Sequence, residues 1–116
     1  MSQILKLSDR IQFLPVVHGS GSFAREVRHQ LLSNPCDCLA IALPPEFQPT
    51  VEQGINHLPA ISLSCQEQPN GAMNYVPIDP SQPFIMGLRI AMQEGISRHF
   101  IDWSTESYEK RSVDFP

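Results

Sequence analysis

The chain predicts an α/β fold: a three-layer sandwich built on a mostly parallel sheet of about five strands, joined by right-handed crossovers. Short apolar runs alternate with segments of helical periodicity along most of the sequence. Asn34-Pro35, Pro44-Pro45 and Asn70-Gly71 punctuate that alternation. One apolar run, Ile11–Val17, ends in His18-Gly-Ser-Gly-Ser-Phe-Ala24 and passes at once into a helical pattern. Open α/β sheets place ligand chemistry at such strand-to-helix turns.

Ile11–Val17 is predicted as the first strand, rich in β-branched residues, with Pro15 marking an edge or a bend. Ser22–Leu32 sets Phe23, Val27 and Leu31 at helical spacing and Arg25, Glu26 and Arg28 on the solvated side; Ser20 or Ser22 can cap its free amides. Asn34-Pro35 stops that helix. Cys36–Leu43 is almost wholly apolar and reads as a central strand buried on both faces, ended by Pro44-Pro45. Glu46–Leu58 reads as a second helix, interrupted by Pro49 and Gly54. Ala60–Cys65 and Tyr75–Ile78 are the third and fourth strands. The connection between them carries Pro69-Asn70-Gly71, which either closes a hairpin and reverses the fourth strand or crosses back over the sheet. Pro80-Ser-Gln-Pro83 starts a third helix, with Phe84, Ile85, Leu88 and Met92 on one face and Gly95 at its C-terminal stop. His99–Trp103 is the last strand. Residues 1–103 are expected to form one α/β domain, the N-terminal portion of a longer protein, and 104–116 a polar tail or the start of a further segment.

With 116 residues, 41% of them hydrophobic, the chain can bury one core. Its net charge of −4 comes without a block of like charges, which argues against nucleic-acid and anionic-membrane partners. No apolar run approaches the ~20 residues that span a bilayer. Three cysteines without a secretory leader pattern argue against a disulfide framework, and a cytoplasmic protein is predicted. Cys36, Cys38 and Cys65 read as buried small hydrophobes rather than zinc ligands. His29 and His57 read as surface residues of helices, and His99 opens the last strand at its far end. Gly-x-Ser-x-Gly and His-Glu-x-x-His are both absent from the sequence.

If the strand ends align, His18, Glu46, Asp79 and Asp102 share one carboxyl edge, where neighbouring strands lie about 4.8 Å apart. His18, Glu46 and Asp102 form the candidate catalytic set, a histidine base with carboxylates to orient it. His18, Glu46 and Asp79 form a candidate site for a divalent metal. Gly19, Ser20, Gly21 and Ser22 can offer backbone amides to an anion or oxyanion. Each acid also has a local reading: Asp79 and Asp102 suit turns or helix starts, and Glu46 suits the positive end of the second helix. The segment Gly19-Ser-Gly-Ser-Phe-Ala24 also fits a permissive dinucleotide fingerprint, with Glu46 as the ribose acid. Gly19 and Gly21 are expected to require glycine, whereas alanine at Gly54 is expected to be harmless or stabilising.

The order His18-Gly-Ser-Gly-Ser, Asp37-Cys-Leu-Ala-Ile-Ala-Leu-Pro-Pro-Glu46, Tyr75-Val-Pro-Ile-Asp-Pro80, Leu88-Arg-Ile-Ala91 and Phe100-Ile-Asp-Trp103 resembles the amino-terminal region of large bacterial members of the TraB, ChaN and erythromycin-esterase-like superfamily. The resemblance covers His18 to Trp103. It implies an α/β core with a first-strand histidine and a second-strand glutamate at the site, used for hydrolysis or metal-dependent peptide cleavage. The chain departs from that pattern at Ala42, where the strand-two glutamate would stand, leaving Glu46 as the nearby acid, and the downstream histidines of the esterase and peptidase branches have no counterpart in it. The resulting expectation is a hydrolase-like module acting on a small-molecule or peptide substrate, incomplete as an enzyme unless a downstream domain of the same protein supplies the rest. The alternative is a non-catalytic binding or interaction module whose Gly19–Ser22 loop holds a nucleotide or anion.

Overall fold

The computed structural model describes residues 4–103 as a mixed α/β fold. Its elements are β1 (Leu5–Lys6), β2 (Gln12–Phe13), α1 (Gly21–Ser33), β3 (Cys38–Ile41), a 3-10 turn (Pro45–Phe47), α2 (Gln48–Ile55), β4 (Ser62–Glu67), β5 (Met73–Ile78), α3 (Pro83–Glu94) and β6 (Ser97–Phe100). The strands form three two-stranded sheets: β1 with β2 antiparallel, β3 with β6 parallel, and β4 with β5 antiparallel. The five-stranded parallel sheet of the sequence expectation is therefore not formed among the described residues; its parallel part is β3 and β6 alone. The predicted tail, 104–116, lies outside the described residues.

The two longest helices begin and end where the sequence places them. Ser20 caps α1, its hydroxyl accepting from the Phe23 N–H at 3.4 Å. Gly95 closes α3 in the left-handed conformation, φ +71°, where a side chain would be strained. The expected first strand shrinks to Gln12–Phe13, paired only with β1, because the apolar run 11–17 finds no sheet to join: Ile11, Phe13 and Val17 are all exposed. The Asn70-Gly71 ambiguity resolves as a hairpin. Gly71 takes φ +87°, the Asn70 side chain accepts from the Ala72 N–H, and Gln68 donates its N–H to the Ala72 carbonyl at 2.7 Å.

A single core joins these pieces. Ile41, Phe47, Val51, Ile55, Ile78, Ile85, Leu88 and Phe100 pack together from the 3-10 turn, α2, α3 and the strands β3, β5 and β6. Full burial of a side chain such as Leu88 or Ile85 contributes about 1.5–3 kcal/mol. α1 lies against α3 at Gly87, where an added Cβ would come within 3.2 Å of Val27. α2 is tied to β6 by the Arg98–Glu52 ion pair at 3.0 Å and by the Gln48 side-chain amide, which donates to the Arg98 carbonyl. Buried Ser64 of β4 is satisfied by a short hydroxyl contact with Thr50 of α2.

β3 is not a buried central strand. Leu39 and Ile41 turn inward with Arg98 and Phe100, whereas Cys38 and Ala40, paired with Ser97 and His99, face out and are exposed. α3 packs on this pair and α1 packs on α3, while the outer face stays exposed.

Candidate functional site

Short connections return α1 to the start of β3 and α3 to the start of β6, so each helix runs against the strand that follows it and begins near the carboxyl edge of the parallel pair. The two helix starts are joined directly. The Gly19 N–H donates to Oε1 of Gln82, the N-cap residue of α3, at 2.8 Å. Val17–Ser20 forms a turn, with the Ser20 N–H donating to the Val17 carbonyl at 3.3 Å and Gly19 at φ +78° in its third position. His18 occupies the second position of that turn. Its exposed ring meets Phe84 of α3 edge-on, with centroids 4.5 Å apart and planes at 83°.

The turn therefore brings His18, Gly19, Ser20, Gly21 and Ser22 beside the first turn of α3. Neither helix carries an acidic residue in its first turn. Two positive helix ends thus meet with no carboxylate in either first turn.

The carboxylates are placed differently. Asp79 is adjacent, since its carbonyl accepts from the Gln82 N–H at 2.9 Å, but its side chain closes a local turn, accepting from both the N–H and the hydroxyl of Ser81. Asp102 ends the layer at the same edge, its N–H donating to the Leu43 carbonyl at 3.1 Å, and its carboxylate accepts from the Trp103 N–H at 2.7 Å. Glu46 leads away toward β4, its carbonyl accepting from the Gln66 side-chain amide at 3.2 Å. Among the described residues no group of three or more His, Cys, Asp or Glu side chains is placed to hold a metal ion. The candidate metal set His18, Glu46 and Asp79 is thus not assembled. The reason is local: Asp79 caps its own turn, and Pro44-Pro45 carries Glu46 into the 3-10 turn that packs on β4.

The cysteines correct a second expectation. Cys36, Cys38 and Cys65 are free thiols and all exposed. Partial burial pushes the Cys36 thiol up from its ordinary value, and the neighbouring Cys38 and Asp37 charges act the same way against a backbone hydrogen bond from Cys38. Burial also pushes the Glu52 carboxyl up, but hydrogen bonds from Arg98 and Gln48 outweigh it and hold the group below its ordinary value.

Sequence reasoning missed two features. One is Gln82, whose role depends on a partner 63 residues away and leaves no local signal. The other is a cavity of about 280 Å³ between α2 and the β4–β5 hairpin, lined by Thr50, Gln53, His57, Ser62, Leu63 and Ile78. His57 is exposed as expected, with Nδ1 2.9 Å from the Gln53 carbonyl oxygen. Trp103, the single tryptophan of the chain, is 58% exposed beside Asp102.

No known protein family, no curated protein and no solved structure matches the chain. Among the described residues no helix is long and apolar enough to cross a membrane.

Proposed function

We propose that this chain is a ligand-binding α/β module that holds the anionic group of a small molecule, a phosphate or a carboxylate, between the starts of α1 and α3. The observation that carries the reading is the Gly19 N–H to Gln82 Oε1 bond, which fixes two helix N-termini side by side where neither first turn holds an acidic side chain. The Gly21 and Ser22 amides of α1 and, beyond Pro83, the Phe84 and Ile85 amides of α3 supply donors, Gly19 permits the close turn, and His18 stands at the rim on Phe84. An anion there is stabilised by directional N–H donors and by the summed helix dipoles.

The hydrolase reading remains a second proposal. Its support is that His18 is exposed beside the same amides, which suit an oxyanion as well as a resting anion. It needs a group to orient His18, and Asp79 and Asp102 are engaged in their own turns. In this reading a partner segment completes the site. The larger three-layer sandwich belongs with it as a proposal, supported by the uncovered outer face of β3 and β6, which a second helical layer would cover.

Titration with inorganic phosphate and acetate, followed by backbone amide NMR, tests the binding reading. Movement confined to Gly19, Gly21, Ser22, Phe84 and Ile85 is expected. Ser22→Glu should abolish it, because a carboxylate in the first turn of α1 competes for the same donors. Binding that survives Ser22→Glu, or shifts centred elsewhere, sinks the proposal. Ester, amide and phosphoester turnover that disappears in His18→Ala would favour the hydrolase reading instead.

A further inference from the structure

The β4–β5 hairpin has two free edges, and they differ. The Gln68 N–H donates to the Ala72 carbonyl at 2.7 Å, which makes these two residues a hydrogen-bonded pair of the antiparallel ladder. Bonded pairs recur at every second residue, so the register makes Gln66 with Asn74, Ser64 with Val76 and Ser62 with Ile78 the others. The N–H and C=O groups of Leu63, Cys65 and Glu67 therefore point away from β5. Pro77 agrees with that alternation: it has no N–H, and it stands opposite Leu63 in a non-bonded pair. It also leaves the free edge of β5 without a donor at that position. The β4 edge has no such block, since Ser62–Glu67 contains no proline and no lysine and its pairing runs without a bulge. Among the described residues no hydrogen bond reaches the outward backbone groups of Leu63, Cys65 or Glu67, and all three residues are exposed. β5 sends Val76 and Ile78 into the core and β4 sends nothing, so the unblocked edge belongs to the strand less engaged with the core.

We propose that β4 pairs edge to edge with β4 of a second copy of this chain, antiparallel about a two-fold axis, so that two hairpins join into one four-stranded sheet. A second copy fits because the edge is complementary to itself: in an antiparallel pair each outward N–H meets an outward C=O of the same three residues. The register that uses all three sets Cys65 opposite the partner's Cys65 and Leu63 opposite the partner's Glu67. Glu67 is the only charged residue of the strand, and this register places the two copies of it at opposite ends of the pair. Their separation of four residues, about 13 Å, exceeds the ~8 Å screening length of physiological salt. On the exposed face Leu63 becomes a diagonal neighbour of the partner's Cys65, which adds side-chain contact to the hydrogen bonds.

Sedimentation velocity of the full chain under reducing conditions, over a concentration series, tests the pairing. A monomer–dimer equilibrium is expected. Cys65→Pro removes the outward N–H on the axis and takes no donor from the β4–β5 ladder, so it should weaken association by about 10- to 100-fold, the loss of two hydrogen bonds. Cys65→Ser keeps that N–H and should associate as the parent does. A second readout does not depend on the proline variant. In a chain carrying Cys36→Ser and Cys38→Ser, diamide takes up the two thiol hydrogens and should join two Cys65 sulfurs in a disulfide, because the Cα separation of about 5.5 Å in a hydrogen-bonded pair is one that a disulfide spans. If Cys65→Pro fails to fold by circular dichroism, the cross-link alone decides. A chain that stays monomeric up to about 1 mM overturns the proposal. So does a dimer that folded Cys65→Pro leaves intact, a dimer that yields no Cys65 cross-link, or growth into species larger than a dimer.

Discussion

The turn before α1 and the last turn of α2 both contain glycine, and they use it for opposite reasons. At Gly19 the backbone is at φ +78° with open space where a Cβ would go, so the requirement is conformational. At Gly54 the backbone is ordinary helix, but an added Cβ would sit 2.3 Å from Ile78 Cδ1 and 3.1 Å from Ser62 Oγ, so the requirement is steric. Gly21, two residues on, opens α1 and has neither constraint. A glycine's role thus follows from what faces it. Its neighbours in sequence made the turn conspicuous and left the helix glycine looking like a defect.

Four substitutions sharpen or break that contrast. Gly54→Ala has the largest expected effect. Overpacking costs about 1–3 kcal/mol and the gain in helix propensity returns about 1 kcal/mol, leaving a net loss of up to about 2 kcal/mol and a thermal midpoint lower by up to roughly 10 °C. Ile78→Val in the same chain removes the clashing methyl and should recover part of the loss. A Gly54→Ala chain that melts at or above the parent would show that Ile78 simply moves aside. Gly19→Ala comes next, at about 1 kcal/mol, because a left-handed φ disfavours alanine while nothing clashes; Gly19→Asn should cost less, and equal melts for the two would contradict the conformational account.

The tie between α2 and β6 gives the third. Glu52 is held below its ordinary carboxylate value, so its contribution is present above the unfolded-state value and is lost as pH falls through the lower, folded-state value. Glu52→Gln should therefore lower stability by about 1 kcal/mol near neutral pH, the order expected for a partly exposed pair. The gap between parent and variant should close on acidification; a gap that widens would reverse the sign of the linkage. The smallest effect is expected at Gly21→Ala, within about 0.5 kcal/mol and favourable in sign, since the residue opens α1 with free space around it. A clear loss there would mean that Gly19 and Gly21 are both constrained and would dissolve the distinction between them.

The helices were legible because their signals are local. Ser20, Asn34-Pro35, Gln82-Pro83 and Gly95 bracket α1 and α3, and apolar spacing fills the interval. The hairpin was legible as one of two alternatives, since Asn70-Gly71 supports a reversal that only the pairing of Cys65 with Tyr75 and its neighbours decides. The first strand was overread: apolar residues at 11–17 satisfy a strand pattern, but a strand also needs an edge to join, and only Gln12 and Phe13 find one. The cysteines were misread for a related reason. An apolar run such as Cys36–Leu43 indicates a strand, yet whether both faces are covered depends on elements elsewhere, and here Cys38 and Ala40 face solvent. At the site, His18 and its glycine turn were visible in sequence. The commitment of Asp79 and Asp102 to their own backbones was visible only as the less specific alternative, and the Gln82 tie was not visible at all.

The position of Trp103 makes the molecule self-reporting. A lone indole at the end of the parallel layer, largely in water, emits as a solvated fluorophore, and the other events on this chain occur against that single background. Anything that comes to rest on the carboxyl edge near Asp102 will shift its emission to shorter wavelength or shield it from a dissolved quencher. Occupancy of that edge can therefore be followed by light in the unlabelled protein.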